Sequence, residues 1–456
     1  MGVRFGTDGI RGVANSELGV ELVLALGRAA ARVLPAECFV VGRDTRRSGP
    51  LLQAALSAGL ASEGADVVDL GVLPTPGVAW VAAERGLPAA VVSASHNLFV
   101  DNGVKLFASG GLKLPDAVEE AVEEELEGAL AGRTLRSRPP TGKAVGSLRS
   151  DPEAPQRYVD FLASLVPAGS LQGMHVVIDC ANGAASAVAP AVLRKLGADV
   201  DAIADAPDGV NINDGCGSTH PERVAEAVRA AGAHLGLALD GDADRLVAVD
   251  HNGALVSGDE LLVLFALDLA RRGELPGNAV VVTVMSNLGL HLAMAEQGIA
   301  VRETPVGDRY VLEALEAEGL ALGGEQSGHI VFRHRSTTGD GSLTAVLLLD
   351  LLRRADRPLA ELASQSMTRL PQVLCNVTVD DPKGAVGSPL VQRELEAVRA
   401  ELGDRGRVVL RASGTEPVVR VMVEAADEST ATAAADRLVE AVRSEAELRS
   451  EAAGGP

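Results

Sequence analysis

Three carboxylates at alternate positions, in Asp240-Gly-Asp-Ala-Asp-Arg245, follow the apolar run 235–239. The run reads as a buried strand, and the six residues as the tight turn at its end. Asp240, Asp242 and Asp244 can converge on one hard divalent cation, with Gly241 and Ala243 keeping bulk out of the turn. The spacing also opens an EF-hand calcium loop, but Arg245 stands where that loop needs glycine and His251 where it needs glutamate. Mg²⁺ is the better fit, because it is commonly held by a few carboxylates together with a phosphate oxygen.

Three further segments carry chemistry. Ser93-Ala-Ser-His-Asn97, followed by Asp101-Asn-Gly-Val-Lys105, is the candidate nucleophile loop, although it is not a G-x-S-x-G elbow. A phosphorylated serine beside Mg²⁺ would give the metal its missing oxygen ligand, and would make Ser95 a carrier rather than a hydrolytic nucleophile. Lys105 either moves the proton of the reacting hydroxyl, its pKa lowered by burial near Arg11, or is a phosphate counter-ion. Arg411-Ala-Ser-Gly-Thr-Glu-Pro417, with Arg420 beyond it, reads as a phosphate clamp. Ser413 and Thr415 offer hydroxyls, Gly414 lets backbone N–H groups approach an anion, and Arg411 and Arg420 can fork onto phosphate oxygens.

Gly324-Glu-Gln-Ser-Gly-His329 sets a carboxylate (Glu325), a hydroxyl (Ser327) and an imidazole (His329) on a glycine-flanked turn, a set that suits the vicinal hydroxyls of a sugar. His329 is either a proton carrier or a structural hydrogen-bonder. Thr304, Gly307, Asp308 and Arg309 form a further polar turn. Each of these segments, read alone, is also an ordinary polar loop.

The elements that must position them repeat three times. Strands at 38–44, 65–70 and 89–92 with a helix at 50–64 lead to the Ser95 loop. Strands at 174–179, 198–200 and 235–239 lead to the aspartate turn, and those at 278–283, 299–302 and 320–323 to the Glu325 turn. Ligands bind at strand ends of α/β sheets, so three such ends around a central cleft make a composite site. The expected fold is α/β: three similar domains with mixed sheets at 1–145, 146–250 and 251–367, then a smaller α+β phosphate-binding domain, read as β-α-β-β-α, at 368–456. The aperiodic stretch 136–143 is the first linker.

Lys and Arg total 41 against 62 Asp and Glu, a net charge of −21, which argues against nucleic acid and anionic membranes as partners. The arginines and lysines that do occur cluster beside the glycine-rich motifs, Arg11, Arg43, Arg46 and Lys105 among them. That local reversal suits a phosphorylated metabolite. The N-terminus shows no apolar signal segment, and no run of about 18 residues is apolar and uncharged. A cytoplasmic protein, monomer or homodimer, with its four cysteines reduced is expected.

Taken in order, the Ser95, Asp240, Glu325 and Arg411 segments resemble the α-D-phosphohexomutase family across nearly the whole chain. Phe5-Gly-Thr-Asp-Gly-Ile-Arg-Gly12, Gly42-Arg-Asp-Thr-Arg46 and Cys216-Gly-Ser-Thr-His220 are most similar to its bacterial phosphoglucosamine mutase branch. The resemblance implies that Ser95 is a phosphoserine and that Asp240, Asp242 and Asp244 hold Mg²⁺ with one of its oxygens. It implies that Glu325 and Ser327 grip sugar hydroxyls, with Arg245 nearby. Arg411, Ser413, Gly414, Thr415 and Arg420 would hold the phosphate that is not transferred. Lys105 and His329 would serve proton transfer, with Arg11 near the phosphoserine.

The implied reaction interconverts glucosamine 6-phosphate and glucosamine 1-phosphate through a glucosamine 1,6-bisphosphate, toward UDP-N-acetylglucosamine and the cell wall. Glucose or mannose phosphates are the alternative substrates. A haloacid-dehalogenase-like phosphatase with Asp240 as nucleophile is the alternative chemistry, and it leaves Ser95 without a role. One departure is visible: the serine loop of the family continues Asn-Pro, and here it reads Asn97-Leu98.

Overall fold

Apolar strands broken by turn residues build four sheets in the computed structural model, which describes residues 9–131, 139–413 and 417–453. The chain divides into two compact units, one of residues 1–283 with 304–364 and a smaller one of residues 284–303 with 365–456.

In the larger unit the first sheet has seven strands of mixed sense. Cys38–Arg43 runs parallel to Asp66–Val72 and to Ala89–Val92, and Asp101–Ala108 returns antiparallel beside Ala89–Val92. Ile10–Val13 lies antiparallel on the far side of Asp101–Ala108, and Leu148–Ser150 joins the opposite edge, beyond residue 145. The second sheet follows the same plan. His175–Asp179 runs parallel to Asp199–Ile203 and Leu235–Leu239, Leu246–Asp250 returns antiparallel, and Leu255–Val256 forms the edge. The third has Ala279–Thr283 parallel to Leu322–Gly324, with Ile330–Phe332 returning antiparallel.

In each sheet the polar motif therefore lies in the loop between a parallel strand and its antiparallel return. Ala89–Val92 and Leu235–Leu239 are buried throughout, which is why they read as unbroken apolar runs rather than alternating ones. Helices cover the sheets through apolar stripes. In Val20–Val33 the buried Leu22, Val23, Leu26, Ala29 and Ala30 recur at helical spacing. Gly258–Arg271 begins at a capping box formed by Ser257 and Glu260.

One polar turn is corrected. Asp308 and Arg309 open the helix Asp308–Glu318, because Gly307 at φ 134° turns the chain directly into it, a conformation that glycine reaches without strain. The cysteines are free, with Cys180 and Cys216 buried. Among the described residues no helix is long and apolar enough to cross a membrane.

The smaller unit carries three antiparallel strands, Gln372–Thr378, Val418–Glu424 and Arg407–Ala412 in that spatial order. Pro389–Leu402 and Glu428–Ala453 pack on them over Val391, Leu395, Val419, Val421 and Leu438. The expected β-α-β-β-α order holds, with a short extra helix at Pro382–Val386.

Candidate active site

The aspartate turn is buried: Asp240, Asp242 and Asp244 are at most 5 % exposed, and one oxygen from each lies within 4.8 Å of the others. Ala243 at φ 57° makes the left-handed bend that aims the three carboxylates together. Burial, then the charges of Asp244 and Asp242, push the Asp240 carboxyl well above its usual range. Lys105 offsets part of this charge, its Nζ donating to Asp242 at 2.9 Å and to Asp244 at 3.3 Å. Thr75, to which no sequence motif points, donates its hydroxyl to Asp242 at 2.7 Å and its N–H to the Asp242 carbonyl at 3.0 Å. The Oδ1 of Asp242 is buried and accepts no hydrogen bond. Three crowded carboxylates with an oxygen still to be satisfied suit a hard divalent cation.

Ser95 meets this turn directly. It is fully buried, its backbone is left-handed at φ 51°, and its hydroxyl donates to Asp240 Oδ2 at 2.6 Å. Arg11 donates to the Ala94 carbonyl at 3.4 Å, one residue before it. His96 is held down to about 4 by burial, with the Arg245 and Arg11 charges adding to the shift, so it is neutral at pH 7. Arg245 N–H donates to Asp240 at 3.2 Å, and its guanidinium lies 3.8 Å from Asp244.

The loop around Ser95 is held by a residue whose role was not legible in the motifs. Arg46, 1 % exposed, donates to the carbonyls of Ser95 at 3.0 Å, Asn97 at 2.8 Å and Asp101 at 3.0 Å, and also to that of Leu98. Asp44 fixes Arg46 through Nε at 2.8 Å and accepts the Ser93 hydroxyl at 2.7 Å, and Ser93 in turn accepts the Ser95 N–H. The signals were its place among the cationic residues beside the glycine-rich motifs and the resemblance carried by Gly42-Arg-Asp-Thr-Arg46. Leu98, in place of the usual proline, is half exposed and its carbonyl is gripped by Arg46, so the loop is set by donors rather than by a ring.

The Glu325 turn joins the same neighbourhood through backbone bonds. Leu246 N–H donates to Gly328 at 3.0 Å, and Gly341, which opens the later helix Gly341–Ala355, donates its N–H to Ala243 at 2.9 Å. Gly328, at φ 89°, allows this approach, since a Cβ there would lie 2.0 Å from the Leu246 carbonyl oxygen. Glu325 accepts the Gly307 N–H at 3.2 Å, and the Ser327 hydroxyl reaches Glu325 at 3.4 Å. His329 is 2 % exposed, and its ring makes no hydrogen bond; Nε2 lies 3.7 Å from the Asp308 carboxylate. Asp308 pairs with Lys113, and Arg309 with Asp116 and Glu119. The larger unit thus brings Arg11, Ser95, Lys105, the three aspartates and Arg245 together, with Glu325, Ser327 and His329 on the adjoining turn.

The clamp belongs to the smaller unit. Arg411 and Arg420 are directly opposed on neighbouring strands, and Ser413 N–H donates to Val418 at 2.9 Å. Burial and the Arg420 charge lower the Arg411 pKa, so the pair gains from an anion between them. Gly414 and Thr415 lie outside the described residues.

Four profiles of phosphoglucomutase/phosphomannomutase match the chain: the alpha/beta/alpha domains I, II and III over residues 2–131, 156–253 and 257–370, and the C-terminal domain over 374–441. The phosphoglucosamine mutase of Heliobacterium modesticaldum is 52% identical, covering 94% of this chain and 96% of its own. That of Saccharopolyspora erythraea is 53% identical over 96% and 98%. Among solved structures, a phosphoglucomutase/phosphomannomutase family protein from Burkholderia thailandensis superposes with a TM-score of 0.80 at 26% identity, covering 96% of this chain and 97% of that one.

Proposed function

The chain belongs to the phosphoglucosamine mutases of the phosphoglucomutase/phosphomannomutase family, and on that premise we propose that it interconverts glucosamine 6-phosphate and glucosamine 1-phosphate through a phosphoserine at Ser95. The observation that carries the reading is the buried Ser95 hydroxyl 2.6 Å from a carboxylate of a triad suited to a cation.

In the forward direction the P–Oγ bond of phosphoserine 95 breaks as a bond forms between phosphorus and the sugar O1, giving glucosamine 1,6-bisphosphate. The O1 proton leaves, and the Ser95 oxygen regains one, so the proton count balances. The bisphosphate turns round, and its 6-phosphoryl group returns to Ser95 by the reverse steps. Asp240, Asp242 and Asp244 would hold Mg²⁺, which neutralises charge on a transferring phosphoryl group. Lys105, beside the triad, is the nearest ammonium and serves as proton carrier, with His329 on the sugar side. Arg245 adds positive charge at the turn, and Arg11 at the carbonyl before Ser95. Glu325 and Ser327 orient the sugar hydroxyls. Arg411, Ser413, Gly414, Thr415 and Arg420 hold the phosphate that stays. A phosphatase using Asp240 as nucleophile would leave this serine idle.

Intact mass and turnover test the proposal together. The wild-type protein should carry a stable addition of about 80 Da, one phosphoryl group, that is absent in Ser95→Ala. Ser95→Ala should also lose conversion of glucosamine 6-phosphate. Undiminished turnover in that variant would overturn the phosphoserine mechanism, and a higher kcat/KM for glucose or mannose phosphates would move the substrate assignment.

A further inference from the structure

We infer that Arg46 and Asn213 form a two-sided clamp that sets the Ser95 loop in register with the aspartate turn. The inference rests on the reading of Ser95 as the phosphoryl carrier. The carbonyl of Ser95 accepts from Arg46 Nη2 at 3.0 Å and from Asn213 Nδ2 at 2.8 Å. The carbonyl of Asn97 accepts from the same two groups, at 2.8 and 2.9 Å. A carbonyl oxygen has two lone pairs, so both acceptors are saturated, each by one donor from either side.

The two donors come from different sheets. Arg46 follows Cys38–Arg43 of the first, which also carries the Ser95 loop. Asn213 follows Asp199–Ile203 of the second, the sheet whose strand Leu235–Leu239 ends in the metal-binding turn. Asn213 is itself fixed: it is 2 % exposed, left-handed at φ 59°, and its N–H donates to Ala181 at 3.0 Å. Its amide orientation follows from its surroundings, since two carbonyl oxygens require the NH₂ end.

Phosphoryl carrier and metal ligands thus arise on separate sheets, and Asn213 is the second sheet's grip on the first sheet's loop. The Ser95 hydroxyl hangs one rotatable bond from this backbone, so the carbonyl positions govern its distance to Asp240. The clamp also holds Ser95 in its left-handed conformation, which an L-residue does not keep by preference. Both are positioning residues, acting through carbonyls rather than on the sugar or the phosphate.

The test uses the full chain with Asn213→Ala and Asn213→Asp, and Arg46→Lys as a variant from the other side. A displacement of the order of 1 Å at a reacting group costs about 100-fold in rate. Asn213→Ala is expected to lower kcat by roughly 10- to 100-fold with KM for glucosamine 6-phosphate nearly unchanged. Asn213→Asp, which turns an acceptor toward two carbonyls, should be worse, and Arg46→Lys should retain part of the rate. Amide exchange over residues 95–101 should quicken in each variant while that of Leu235–Leu239 stays protected.

A wild-type kcat in Asn213→Ala, or unchanged exchange over 95–101, would overturn the clamp. If Asn213→Ala does not fold, Arg46→Lys carries the same two readouts. Absence of turnover in the wild type would sink the mutase reading instead, leaving the exchange measurement to decide the clamp.

Discussion

Replacing Gly241 by alanine should push Ser95 away from the aspartate turn without removing a chemical group. A Cβ at this position would lie 2.6 Å from the Ser95 carbonyl oxygen, 2.7 Å from Asn213 Nδ2 and 2.8 Å from Ile212 Cδ1. Real Cβ atoms essentially never approach closer than 3.0 Å, so the Ser95 backbone or the aspartate turn must move by at least about 0.4 Å. The turn has little room to retreat. The Gly241 carbonyl oxygen already sits 2.3 Å from where a Cβ of Gly183 would be, an approach that glycine at 183 allows. The Ser95 carbonyl is in turn pinned by Arg46 and Asn213.

A shift of this size between Ser95 and the aspartate triad corresponds to a loss of roughly 10- to 100-fold in kcat. Overpacking should cost about 1–3 kcal/mol of stability. KM should change little, because Glu325 and Ser327 lie on a different loop. Steady-state kinetics with thermal unfolding would measure both effects. Gly387→Ala is the control: its φ is −79° and a Cβ there meets nothing closer than 3.4 Å, so it should be neutral. Wild-type kcat in Gly241→Ala would show that the spacing of Ser95 and the triad does not set the rate.

Lys105→Met should destabilise the metal-free protein by about 3–5 kcal/mol, because it leaves Asp242 and Asp244 buried without their ammonium partner. Added Mg²⁺ should recover part of that loss in a thermal scan, and no recovery would argue against the triad as the cation site. In the wild type, Mg²⁺ at about 100 times its Kd should add about 2.7 kcal/mol, and Asp242→Ala should abolish that shift along with turnover. Asp340 predicts a pH dependence. Burial raises its carboxyl to about 6 despite the Tyr158 hydroxyl at 2.5 Å and the Leu343 N–H at 2.9 Å. A folded-state pKa above the unfolded value of about 3.9 gives stability that is present below pH 4 and lost as pH rises through 6, about 3 kcal/mol in all. Chemical denaturation of wild type and Asp340→Asn from pH 4 to 7 should therefore converge or cross, and parallel profiles would refute the assignment.

The candidate groups were readable in the chain because they depend on residue type at short range. Asp240, Asp242 and Asp244 come from one turn, and the run 235–239 announced itself as a strand by being wholly apolar. Gly324 to His329 were legible for the same reason, and Arg411 and Arg420, close in the chain, stand opposite each other on paired strands. The polar turn expected at Thr304, Gly307, Asp308 and Arg309 is instead a helix entry, because Gly307 serves equally well to end a loop or to enter a helix. Short range does not tell these apart.

What no local pattern could supply was the meeting of loops distant in the chain. Ser95 and Asp240 are 145 positions apart, and their 2.6 Å contact follows from how two sheets pack. Thr75 on Asp242 and Asn213 on the Ser95 carbonyl are of the same kind, single residues in otherwise ordinary segments. By itself the sequence determined the inventory of carboxylates, hydroxyls and arginines and the strand ends that present them, since both are written in composition and local periodicity. Only the tertiary structure decided which groups touch. Distances of a few tenths of an ångström between loops are set by packing across the whole core, and no window of the chain contains that information.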